Sequence, residues 1–173
     1  MLFLLSTGDD KDLAPVRDWV HGLAAKKSSA FPWTIGFGGI PLCEYYLRTG
    51  DQSVLPVIKQ MTEELRKNMF SGGWSGRAGP AAFTYSVGTG QVHASGVNCM
   101  SFLLMAKLCG VEVDKYMFDE TFSQFYRFAG HGNVAYGNTL PEGGFRDNGK
   151  TSSLAYGLGA AAMIAPEGEK SVF

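Results

Sequence analysis

Four groups of residues in this 173-residue chain have the types and spacing to do chemistry. The first is Asp9, Asp10 and Asp12 in TGDDKDLAPV, three carboxylates close enough to hold a divalent cation or, alternatively, to cap and begin a helix. The second is Arg146-Asp147-Asn148-Gly149-Lys150-Thr151-Ser152, which places a carboxylate, an amide, an ammonium and two hydroxyls at a predicted helix start. Here Asp147 or Asn148 either caps the helix or, with Lys150 and Ser152, contacts a ligand. The third is His93, an imidazole that titrates near neutrality and so can serve as a general base, opening a helix that carries Ser95 and Asn98. An amide such as Asn98 inside an otherwise apolar helix needs partners, either a loop backbone or a ligand.

The fourth is Glu44, which interrupts an apolar run. Arg48 follows four residues later, in the favourable order for an ion pair on one helix face. The alternative is a cavity carboxylate acting as acid or base. Two long stretches without periodicity, 75–92 and 130–149, add Arg77, Tyr85, His131 and Tyr136, where rings beside polar groups suit sugar or peptide surfaces.

Composition narrows what such groups could serve. Fifteen Lys and Arg against sixteen Asp and Glu leave a formal charge of -1, which lacks the basic field that neutralises phosphates, so nucleic acid is not an expected partner. The N-terminal MLFLLS carries no basic residue and runs straight into TGDD; it is too short for a signal peptide or a membrane span. Cys43, Cys99 and Cys109 lie in apolar runs without CxxC spacing and read as buried free thiols. The chain contains no phosphate loop, nucleophile elbow, HExxH or dinucleotide fingerprint, and no cofactor is implied.

The elements that must position these groups repeat. LLSTGDDKDLAPVRDWV, residues 4–20, recurs 42 residues later as YLRTGDQSVLPVIKQMT, residues 46–62, and a third copy places Cys109-Gly110 where the others have Thr-Gly. Each copy reads as a helix ending at a left-handed glycine, followed by an Asp or Ser cap and a second helix with proline in its first turn. Segments 52–69 and 114–129 are amphipathic and predict outer helices. Segments 35–49, 93–109 and 151–164 are apolar all round and rich in small residues, which predicts inner helices. A glycine or proline beside an aromatic precedes each of them: Phe31-Pro32-Trp33, Gly72-Gly73-Trp74, Gly143-Gly144-Phe145.

Inner and outer helices in alternation, with GGFRDNGKTSSLAYGLGAA at 143–161, resemble the α/α toroid of terpenoid cyclases and protein prenyltransferases. The catalytic signatures of that superfamily, an Asp-x-Asp-Asp acid motif or an Asp, Cys, His zinc triad, are missing. Over about 17–165, CEYYLRTGDQSVLPVI, GVNCMSFLLMAKLCGV and FRDNGKTSSLAYGL are similar to an uncharacterised family of large bacterial proteins, often with a PDZ domain, known as a domain of unknown function. That resemblance implies the toroid and no reaction.

The expected fold is therefore all-α, a partial α/α toroid with hairpins at about 1–30, 31–70, 71–130 and 131–173, the first and last incomplete. Such an arc exposes apolar surface, and the rest of a parent toroid or a second copy is expected to cover it. The expected function is a concave binding surface for a glycan or peptide. The alternative is a glycan hydrolase or lyase using Glu44 or Asp147 with His93 and Tyr85, and the third is a terpenoid or prenyl-group enzyme. Asp10 and Asp12 become Gln52 and Val54 in the second copy, so only the hairpin parts are repeated and the metal reading of TGDDKD fades.

Overall fold

A computed structural model describes residues 1–26, 32–73, 78–83, 93–129 and 151–164. Most of these residues are helical. The helices are α1 (Leu2–Ser6), α2 (Leu13–Ala24), α3 (Pro32–Thr49), α4 (Leu55–Asn68), α5 (His93–Leu108), α6 (Lys115–Ala129) and α7 (Thr151–Ile164). One antiparallel hairpin departs from this pattern: β1 (Met69–Gly73) pairs with β2 (Ala78–Phe83), Met69 opposite Phe83 and Gly73 opposite Ala78, with an irregularity between Phe70 and Gly72. Its glycines and Pro80 give no two-residue apolar period, which is why the sequence reads as structureless there.

The repeated turn has a physical basis in each copy. Gly8, Gly50 and Gly110 have φ of 76°, 70° and 80°, the left-handed region that a side chain disfavours. The Gly50 amide donates to Tyr46 O at 2.7 Å, closing a single-bond stop. At the end of α5 the amides of Gly110 and Val111 donate to Lys107 O and Ala106 O, the two-bond form. The Thr of each Thr-Gly-Asp accepts from the Asp amide, at 3.2 Å for Thr7 and 3.3 Å for Thr49. Asp9, Asp51 and Asp114 then accept from the amides of Lys11, Ser53 and Tyr116, each two residues on. One 3-10 turn stands between cap and helix at Asp10–Asp12 and at Gln52–Val54, so α4 starts at Leu55, with Pro56 in its first turn.

Helices α3 and α5 are the centre of the molecule. A Cβ on Gly36 would meet Asn98 and Cys99, one on Gly39 would meet the ring of Phe102, and the Cys109 thiol reaches the Cys43 carbonyl. Both sequences ascend together along this contact, so α3 and α5 run parallel, and the small residues of α3 bring the two backbones close. Gly157 of α7 lies against Val97, Met100 and Ser101 on another side of α5. The amphipathic helices pack behind. Leu23 of α2 reaches Gly38 while His21 reaches the level of Tyr45 and Asp51, so α2 runs antiparallel to α3. Val54, Val57, Ile58, Met61 and Leu65, the apolar stripe of α4 and its leading turn, are all buried. The core joins them to Val16, Val20, Ile35, Leu42, Phe102, Leu103 and Met117. Two buried hydroxyls are satisfied within their own helices, Thr62 on Ile58 O and Thr121 on Met117 O.

Pro41 sits inside α3 and is buried. It has no amide hydrogen to give Phe37 O, so that carbonyl is not held by the usual bond to the residue four ahead.

Candidate functional site

The helical period decides which residues share a side of the α3–α5 pair. At about 100° per residue, Trp33, Phe37, Ile40, Glu44 and Leu47 form one stripe on α3, centred roughly 90° round from the glycines that face α5. Asn98, Ser101, Met105 and Leu108 form the matching stripe on α5, about 80° round from the contact with α3 in the opposite sense. In two parallel helices, opposite senses put both stripes on the same side. Three apolar residues of these stripes stand exposed: Phe37 is 57% exposed, Leu47 44% and Leu108 49%. Trp33 and Phe37 stack at 5.8 Å between ring centroids with planes 10° apart. Tyr156 and Met163, 76% and 84% exposed, add one flank of α7.

Glu44 is the one charged side chain in the described stripes, and it is exposed. The expected pair with Arg48 does not form. Arg48 instead donates to Leu5 O at 3.0 Å and lies 3.6 Å from the Asp10 carboxylate, because tertiary packing brings the end of α1 beside it. A carbonyl at a helix end needs a donor, and the partly buried guanidinium supplies it. Asn98 is half-buried, its Cβ against Gly36.

The register sets Glu44 and His93, two of the residues named for the enzyme alternative, at different levels. Gly36 lies level with Asn98 and Cys99, so His93, first residue of α5, is level with the start of α3. Glu44 is about thirteen residues further along, roughly 20 Å at 1.5 Å per residue. Ser152 belongs to the first turn of α7. Arg77, Tyr85, His131, Tyr136, Asp147, Asn148 and Lys150 lie outside the described residues.

A second polar cluster forms where α2 meets the turn between α3 and α4. His21 Nε2 lies 2.9 Å from Asp51 Oδ2 and 3.4 Å from Ser53 Oγ; Ser53 Oγ donates to Asp51 Oδ1 at 2.6 Å, and Tyr45 OH to Asp51 Oδ2 at 3.2 Å. The residue types are those of a catalytic triad, but the connectivity is not. Serine and aspartate approach the same ring nitrogen, and the serine proton is committed to the carboxylate, whereas a triad needs them on opposite nitrogens. The Ser53 hydroxyl, then His21 and the Ser53 amide, hold the Asp51 carboxyl far below the usual carboxylate range. Burial, then the neighbouring Asp51, pushes the Tyr45 phenol up. The cluster is a cap that ties α2 to the α3–α4 turn. Its only sequence signal was the repeat, which marked Asp51 and Ser53 and left His21 unmarked.

The three N-terminal carboxylates go to three partners: Asp9 to Lys11 at 2.7 Å, Asp10 towards Arg48, and Asp12 to the Thr7 hydroxyl at 2.7 Å. Among the described residues no group of three or more His, Cys, Asp or Glu could hold a metal ion, and no helix is long and apolar enough to cross a membrane. A family model described as a domain of unknown function, DUF6288, matches residues 1–173. No curated protein and no solved structure matches the chain.

Proposed function

Given that the chain belongs to the DUF6288 family, we propose that it is a binding module whose ligand lies along the α3–α5 side described above, and that this ligand is an extended apolar peptide segment with a basic side chain. In this reading the inner helices are an arc of an α/α toroid within a larger bacterial protein, and the rest of that toroid or a second copy covers the remaining apolar edge. The observation that carries the proposal is the exposed ring of Phe37, stacked on the half-buried Trp33, seven residues, about 10 Å, from the exposed carboxylate of Glu44. An exposed aromatic ring offers area to an apolar group, and a carboxylate among Ile40, Leu47, Met105 and Leu108 favours a cation. A glycan fits less well. Its hydroxyls need hydrogen-bonding partners, and these stripes are mostly aliphatic. Nothing in the placement of Glu44 and His93 favours a glycan hydrolase.

Isothermal titration against a displayed peptide library, with soluble polysaccharides as the competing class, tests this. Peptides pairing Phe or Leu with Lys or Arg should be selected, with Phe37→Ala weakening binding about tenfold or more, the scale of an aromatic anchor. Selection of polysaccharides, or peptide binding indifferent to both Phe37→Ala and Glu44→Gln, would overturn it.

A further inference from the structure

Cys43 and Cys109 are 66 residues apart in sequence and in contact in the fold. The Cys109 thiol donates to Cys43 O at 3.7 Å, which sets its sulfur beside Cys43. The backbone geometry holds both in place. Gly36 and Gly39 let α3 approach α5, and Cys109, just past the end of α5, is fixed by its amide on Met105 O and by the bonds of Gly110 and Val111 behind it. Contact with a second thiol divides the pair. The neighbouring Cys109 thiol, then burial, pushes Cys43 up, while the neighbouring Cys43 thiol lowers Cys109, so Cys109 ionises first. Cys99 is wholly buried, and burial pushes its thiol up.

We propose that Cys43 and Cys109 are a disulfide-forming pair that locks the end of α5 to α3. The co-reactant is a small disulfide of the glutathione class. The Cys109 thiolate attacks one sulfur of that disulfide, forming a mixed disulfide and releasing one thiol. The Cys43 thiolate then attacks the Cys109 sulfur, forming the Cys43–Cys109 bond and releasing the second thiol. Two electrons pass to the oxidant, and the two cysteine protons leave with the two released thiols. Cys109 is reached by fraying of the last turn of α5, or while the chain folds; the native contact then selects Cys43 as its partner over Cys99. The bond closes a long loop across the centre of the molecule, which disfavours the unfolded chain.

The test is incubation of the whole chain, without substitutions, in an oxidised glutathione buffer, followed by intact mass, peptide mapping without reduction and urea unfolding. The expected result is loss of two hydrogens with no adduct, a cross-linked peptide joining Cys43 to Cys109, and a urea midpoint that rises and returns on reduction. Cys43→Ala, checked for fold by circular dichroism, should stop at a glutathione adduct on Cys109, whereas Cys99→Ala should still form the bond. Adducts without a cross-link in the unsubstituted chain, a cross-link through Cys99, or a lower midpoint on oxidation would overturn the proposal.

Discussion

Gly36 on α3 and Asn98 on α5 stand so close that a Cβ on Gly36 would lie 2.9 Å from the Asn98 Cβ and 3.0 Å from the Cys99 amide nitrogen. The obstruction includes backbone, so it cannot rotate away, and the two helices would have to separate. Overpacking of this kind costs about 1–3 kcal/mol, and the better helix propensity of alanine returns up to about 1 kcal/mol. Gly36→Ala should therefore lower stability by about 1–2 kcal/mol in urea unfolding. Gly22 in α2, with nothing within 4 Å of its would-be Cβ, is the control. Gly22→Ala should raise stability by about 0.5–1 kcal/mol.

Gly50 meets no steric neighbour, yet its φ of 70° makes any side chain strained. Gly50→Ala should cost about 1–2 kcal/mol and Gly50→Asn clearly less, since asparagine tolerates the left-handed region. Equal losses in calorimetry would show that the turn relaxes.

Asp51 should make stability depend on pH in a defined sense. Its folded carboxyl is held below its unfolded value by Ser53 and His21, so its contribution is full above the unfolded value of about 3.9 and is lost as pH falls below it. Asp51→Ala should cost about 1–2 kcal/mol at pH 7, the scale of a lost cap. Unfolding curves of the two proteins should converge as pH drops towards 2. A gap that persists there would mean that the carboxylate charge is not what stabilises the turn.

Arg48 is the tie between α3 and the end of α1. Arg48→Met keeps the stem and removes the donor. Amide exchange in residues 2–6 should quicken severalfold while that of α5 stays unchanged. Glu44→Gln should leave both alone, because Arg48 is not its partner.

Phe37 and Ile35 are two residues apart on α3 and face opposite environments. Phe37 is 57% exposed and Ile35 wholly buried. Phe37→Ala should change stability by about 1 kcal/mol or less, mostly the stack with Trp33, whereas Ile35→Ala should cost about 2–5 kcal/mol. A loss at Phe37 as large as at Ile35 would place Phe37 in the core and remove the exposed surface on which the proposed ligand rests.

The helices and their ends were legible in the sequence because both are local. Small-residue apolar runs mark α3, α5 and α7, amphipathic runs mark α4 and α6, and Gly8, Gly50 and Gly110 with their following acids end one helix and begin the next. Each of these features is fixed by bonds spanning two to five residues. What chemistry is available depends on contacts across tens of residues, and only the tertiary packing set those. That packing gave the parallel register that parts Glu44 from His93, turned Arg48 to Leu5 instead of Glu44, brought His21 to a cap 30 residues away, and put Cys43 against Cys109. A periodic pattern says that a helix face is apolar; it carries no record of which neighbour that face will meet, or at what level.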